Sequence, residues 1–210
     1  MARNHAQEER SLLCDLFTEL GPEVPTLCEG WDAADLAAHL VVRERRPDAA
    51  LGILAAPLAS HGEKVRREYA RRPFADLVVL VRSGPPALSM FGIPGVDRLA
   101  NTMEYFIHHE DVRRANDMGP RDLDADLEAQ LWSAMSRMAK MMMRKAPAGI
   151  TFEAPGARRA ELNGASPMVS VSGPVGELAL FAYGRQAVAE VELAGPDAAV
   201  EAVRNASFGV

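Results

Sequence analysis

The chain has 210 residues, of which 48% are hydrophobic and 25% charged, so it can bury a core without disulfide staples and is too apolar for global disorder. A formal charge of −6 excludes a general nucleic-acid binder, which needs excess Lys and Arg to neutralise phosphates. "MARNHAQEERSLL" is no signal peptide and no segment approaches about 18 uninterrupted apolar residues, so a soluble cytoplasmic protein with no membrane partner is expected, as monomer or homodimer.

Leu12, Leu13, Leu16, Phe17 and Leu20 form a helical stripe over residues 4–20, ended by "GPEVP". Cys14 lies on that face and reads as a small core residue. Cys28, before "EGW", has no such assignment, and neither cysteine sits in a CxxC pair, so both are taken as reduced thiols. In "GWDAADLAAHLVVRERRP", Asp32 caps a second helix running to Pro47, with Asp35 as a short capping-box partner. One or two short helices broken near Pro57 follow, then a helix over "FADLVVLVRSG" and a loop over "PPALSMFGIPG". Asp97 opens a long helix to about Asn116. "LDADLEAQLWSAMSRMAKMMMRKA" is one more helix, its methionines assigned to the core because they share helical spacings with Leu127, Leu131 and Trp132.

After Pro147 the pattern changes. "GITFEAP", "RRAELN" and "MVSVSG" read as strands, "GPVGELALFAYGRQ" as a helix, "AVAEVELAG" as a strand and "PDAAVEAVRNA" as a closing helix. The expectation is an α+β chain: a helical domain over 1–147 and a small mixed α/β domain over 148–210.

Within "MEYFIHHEDVRR", Glu104 and His108 stand one turn apart on one helix face. Such pairs arise readily by chance, and Asp35 with His39 is another, whose acid is explained by capping. A solvated surface pair therefore remains open on spacing alone. Three features favour a site. Asp97, Asn101, Glu104, His108 and Asp111 follow one polar line among apolar Met103, Phe106, Ile107 and Val112. His39 sits in apolar "LAAHLVV", where an imidazole needs a hydrogen-bond partner or a metal. His39, Glu104 and His108 together make a His2Glu set with open positions, the composition of catalytic zinc.

Asp111 is either an orienting carboxylate for His108 or a surface partner of Arg113 or Arg114. His109 is left out of the set. His5 and His61 are expected to be exposed, with His5 the substitute ligand. Arg43 and Arg46 share the His39 face and are candidates to receive a carboxylate from substrate or thiol cofactor, against the alternative of a solvated "RERR" face balanced by Glu44.

At these residues the chain resembles the mycothiol-dependent maleylpyruvate isomerase family, within the DinB-like four-helix metal-binding superfamily. "CEGWDAADLAAHL" is similar to its Gly-Trp-x-x-x-Asp-Leu-x-x-His-Leu segment, and "EYFIHHEDVRRA" to its Glu-x-x-x-His-x-x-Asp segment. "GELALFAYGRQAVAEVELAGPDAAV" is similar to the family's C-terminal helix, Gly-Arg turn, strand and final helix. The resemblance implies a DinB-like four-helix bundle with a sterol-carrier-like C-terminal lobe. It implies a divalent metal, with zinc the expected one, on His39, Glu104 and His108, mycothiol or a similar thiol as cosubstrate, and an arginine of the small lobe that assists substrate binding, matched to Arg185.

An open His2Glu zinc can hold a thiol as thiolate at neutral pH, so the expected reaction is isomerase or S-transferase chemistry on a small molecule. A non-catalytic metal-binding or ligand-carrier protein and a metal-assisted hydrolase are the alternatives.

Overall fold

The computed structural model describes residues 3–49, 59–86 and 96–208, without the side chains of 96–100. The expected break near Pro57, most of the loop over 85–95 and the Asp97 side chain lie outside the described residues. The chain is α+β and divides into two compact units, Met1–Gly119 and Pro120–Val210.

In the first unit, α1 (His5–Leu20) is capped by Asn4, whose side chain accepts from the Gln7 amide. Helix α2 (Ala33–Arg45) starts at Asp32, which accepts from the Asp35 amide. The Asp35 side chain does not close a capping box; it pairs instead with Arg66 of α3 (Ala59–Ala70). Helices α4 (Phe74–Arg82) and α5 (Val96–Ala115) follow in this unit. One core is shared by four helices: Leu13, Cys14 and Phe17 of α1, Leu36, Ala37 and Leu40 of α2, Leu77 and Val81 of α4, and Tyr105 and Val112 of α5. Cys14 is fully buried, and burial pushes its thiol up to about 11, which fits the core assignment.

A charged cluster is sunk into the same helices. Arg10 forks onto Glu44 at 2.8 and 2.6 Å, and the Tyr105 hydroxyl donates to Glu44 at 2.9 Å. Arg10 also donates to the Val81 carbonyl at 2.9 Å, so one guanidinium ties α1 to α2, α4 and α5. Glu44 therefore does not balance a solvated "RERR" face. Arg45 also turns inward, reaching Ser83 and the Gly84 carbonyl at 2.7 Å each, where it satisfies the end of α4.

In the second unit, α6 (Ala125–Met142) is capped by Asp124 and continues into a 3-10 turn, Met143–Lys145. Strands β1 (Gly149–Ala154), β2 (Arg158–Asn163), β3 (Met168–Ser172) and β4 (Glu192–Ala194) form a mixed sheet in the order β2-β1-β3-β4. The β1–β3 pair is parallel and the other two are antiparallel. Helix α7 (Val175–Ala182) packs on α6 and β1, and α8 (Asp197–Arg204) packs on β3. The compositional change at 147 marks where helices give way to strands, whereas compactness divides the chain at 119/120. The two differ because α6 buries its stripe of Leu127, Leu131, Met135 and Ala139 within the second unit, against α7 and β2.

The methionine run is only partly core: Met135 and Met143 are buried, while Met138 and Met141 are exposed at 39% and 62%. Met135 and Met143 continue the i, i+4 series of Leu127, Leu131 and Ala139, to which Met138 and Met141 do not belong.

Gly149 opens β1 where another chain segment passes close. A Cβ there would lie 2.0 Å from the Ala165 carbonyl oxygen. Gly149→Ala is expected to destabilise the protein by about 1–3 kcal/mol, near the upper end because the obstacle is backbone. Urea unfolding of the variant checks this, and an unchanged midpoint would mean that the 165–167 segment yields freely.

Candidate metal centre

Helix geometry delivers the site residues in two sets. On α5, Asn101, Glu104, His108 and Asp111 recur at steps of three and four. The apolar neighbours Met103, Phe106, Ile107 and Val112 are buried on either side of that line. On α2, His39 and Arg43 are one turn apart. The polar line faces inward, since Asn101 and Asp111 are fully buried, while Glu104 and His108 are partly exposed.

The two sets meet at Glu104. Its Oε1 lies 3.5 Å from His39 Nε2 and 3.4 Å from His108 Nε2, and the three donor atoms all lie within 4.8 Å of one another. Two donors bound tetrahedrally to zinc at about 2.0–2.1 Å stand roughly 3.3 Å apart, so the spacing and the His2Glu chemistry both fit one divalent cation. Arg43 opposes it: its Nε is 3.0 Å from the same Oε1, and its Nη1 donates to Asn101 Oδ1 at 2.6 Å.

The electrostatics follow from these contacts. Burial pulls the His39 pKa below its ordinary value, against the raising contact with Glu104, which favours the neutral imidazole. Burial alone would raise Glu104. Hydrogen bonds from His108 and His39, with the Arg43 charge, instead hold it well below the usual carboxylate range. For His108, burial disfavours the charged form, but Asp111, Cys28 and Glu104 outweigh it and raise the pKa well above the ordinary value. Protons and a cation thus compete for the same negative field, and His108 Nε2 is where they meet.

Asp111 is buried and lies 2.9 Å from His108 Nδ1, within reach to orient that ring. Arg113 and Arg114, its alternative partners, pair with Glu110 at 3.1 and 2.8 Å. Cys28 donates to the same Asp111 oxygen at 3.2 Å and lies 3.9 Å from His108 Nδ1. Cys28, His108 and Asp111 also form a compact donor group, but the 2.9 Å N···O and 3.2 Å S···O separations are hydrogen-bond distances, and we read them as a hydrogen-bonded chain.

Of the sequence-derived candidates, the structure brings His39, Glu104, His108 and Arg43 together. Arg46 turns to Asp48, forking at 2.9 and 2.8 Å on the surface. Arg185 belongs to the second unit, in the turn after α7, where it donates to the Tyr183 carbonyl. His5 is buried rather than exposed and pairs with Glu8 at 2.9 Å. His109 is also buried, 3.0 Å from Glu9 of α1. His61 is half-exposed beside Asp48, as expected.

Two neighbours of the site carry no role in the sequence reading. Besides Cys28, the Trp31 ring lies 5.1 Å from the His39 ring, and the Arg66 guanidinium stacks over the Trp31 ring, 4.6 Å from its centroid. Their one sequence signal is their place in "CEGW", immediately before the capped helix that carries His39.

A family model described as the Mycothiol maleylpyruvate isomerase N-terminal domain matches residues 5–162. Two solved structures of the mycothiol-dependent maleylpyruvate isomerase, one of them a histidine-to-alanine mutant, are similar to this chain, with TM-scores of 0.60 and 0.59. Their identities are 15% and 16%, and each match covers 90% of both chains. At that identity the likeness establishes the shared fold. A search of curated proteins gave no match.

Proposed function

The chain belongs to the mycothiol maleylpyruvate isomerase N-terminal domain family, and from that premise we propose that it is a metal-dependent enzyme using mycothiol or a similar thiol for isomerase or S-transferase chemistry. The observation that carries the metal half is the convergence of His39 Nε2 and His108 Nε2 on one Glu104 oxygen, at 3.5 and 3.4 Å. Two imidazoles and one carboxylate suit zinc among the common divalent ions. A divalent cation held there supplies a Lewis acid that keeps a thiol as thiolate at neutral pH.

The remaining work belongs to the chain's own residues. Asp111 holds His108 with Nδ1–H donated, which leaves Nε2 as a ligand atom. Arg43, braced by Asn101 and Glu104, presents a guanidinium to a carboxylate of substrate or thiol. We assign that contact to Arg43, which lies beside Glu104, over Arg46, which turns to Asp48 on the surface. Arg185 is proposed to assist substrate binding on the strength of the resemblance in "YGRQ". In the isomerase case, thiolate sulfur bonds to one carbon of an activated double bond and the π electrons move onto the conjugated carbonyl. The resulting single bond rotates, and elimination restores the double bond and releases the thiolate, so nothing is consumed. In the transferase case the adduct takes up a proton and leaves.

The test is turnover of maleylpyruvate, and of an electrophilic probe, by protein of measured metal content with and without mycothiol. A rate that needs both thiol and metal is expected. Stoichiometric metal with no thiol-dependent rate on either would displace this reading in favour of a metal-binding carrier.

A further inference from the structure

The short segment between α1 and α2 touches both proposed ligand histidines. At one end, Cys28 Sγ donates to Asp111 Oδ2, the oxygen that lies 2.9 Å from His108 Nδ1. At the other, the Trp31 indole packs on His39 with ring planes tilted by 46°. The segment is locked internally: Thr26 Oγ1 accepts from the Cys28 amide at 3.1 Å and donates to the Trp31 carbonyl at 2.9 Å. The Trp31 amide closes a turn onto the Cys28 carbonyl at 3.0 Å, with Gly30 at φ +74°, a conformation glycine adopts without strain. It is also fastened to α5, because the Leu27 amide donates to the Asp111 carbonyl at 3.1 Å and Asn116 Nδ2 to the Pro25 carbonyl at 3.1 Å.

We propose that segment 25–31 is the positioning element for both imidazoles, with the Cys28 thiol acting on His108 through Asp111 and the Trp31 ring acting directly on His39. This rests on the metal-centre reading. An ionised carboxylate only accepts, so Asp111 receives hydrogens from both Cys28 and His108 Nδ1. The thiol restrains the carboxylate, the carboxylate fixes the tautomer, and His108 Nε2 is left facing Glu104. The Trp31 ring lies 5.1 Å from the His39 ring at that tilt, and the Arg66 guanidinium lies over the Trp31 ring. Cys28 is therefore a donor beside the centre and neither a nucleophile nor a ligand.

The experiment measures zinc affinity by chelator competition for the unaltered protein and for Cys28→Ala, Cys28→Ser and Trp31→Leu, with His39→Ala and His108→Ala alongside. Cys28→Ala and Trp31→Leu are each expected to weaken zinc about tenfold, the lower range for groups that orient a ligand. Cys28→Ser, which keeps the donor, restores affinity to within about twofold. Cobalt-loaded protein is expected to show no thiolate-to-metal charge-transfer band. Should Cys28→Ala not fold, Cys28→Val against Cys28→Ser makes the same comparison.

Equal affinity in Cys28→Ala and unaltered protein, with zinc lost from His39→Ala and His108→Ala, overturns the positioning role and leaves the centre standing. Cys28→Ser as weak as Cys28→Ala, or a thiolate band on cobalt, overturns it by removing the donor role. Zinc retained by His39→Ala and His108→Ala overturns the metal-centre reading itself.

Discussion

His108→Ala is expected to weaken zinc binding by more than about 100-fold and to abolish any thiol-dependent turnover. Groups that only orient a ligand cost about 10–100-fold when removed, and this substitution removes a donor atom outright. It also takes the imidazole from a fully buried Asp111 carboxylate, so the local cost exceeds the lost coordinate bond. A second readout is thermal. Zinc at 100 times its dissociation constant stabilises the folded protein by about 2.7 kcal/mol, and that zinc-dependent rise in Tm should vanish in His108→Ala. The control is His61→Ala, whose ring is 48% exposed and faces Asp48 on the surface. His109→Ala is a poor control, because His109 is buried and paired with Glu9 of α1. If His108→Ala retains stoichiometric zinc at an affinity within about threefold of the unaltered protein, the His2Glu centre is wrong.

Glu44→Ala is expected to cost about 3–5 kcal/mol, because it leaves the Arg10 guanidinium buried without its carboxylate. Both side chains of the pair are 1% exposed, so water cannot compensate. Replacing the pair together, Arg10→Met with Glu44→Leu, should recover most of that loss, since desolvating two ions offsets much of their attraction. The consequence reaches the proposed metal centre through sequence adjacency. Glu44 follows Arg43 on α2 and Tyr105 follows Glu104 on α5, so the inward pair and the site pair are set by the same two helices. The double variant should therefore regain stability while binding zinc more weakly than the unaltered protein. Urea unfolding with and without zinc separates the two effects. A loss below about 1 kcal/mol in Glu44→Ala would remove the cluster from any account of stability.

The helices and strands were readable because their signals are local. Asn4, Asp32 and Asp124 cap where they stand, and the apolar stripe of Leu13, Leu16 and Phe17 needs no partner to be recognised. The i, i+4 pair of Glu104 and His108 was visible for the same reason. What sequence spacing could not show was which partner each buried histidine and acid would meet. His5 and Glu44 look like surface residues among charged neighbours, yet both are buried, because α1 packs along α5 and Arg10 supplies Glu44 with a partner 34 positions away.

The amino-acid sequence by itself determined the α+β order, the capped helices, the membership of His39, Glu104 and His108 in one candidate set, and the family to which the segments are similar. Helical periodicity and capping act within a few residues, so they are written in consecutive letters. Only the tertiary structure decided that Asp111 pairs with His108 while Glu110 takes the two arginines, that Arg43 reaches Glu104 while Arg46 turns to Asp48, and that Cys28 and Trp31 lie beside His108 and His39. Each of those choices depends on which side chain from a distant helix or loop fills the space beside it. A buried polar group takes the partner that packing brings within hydrogen-bond reach, whatever its distance along the chain.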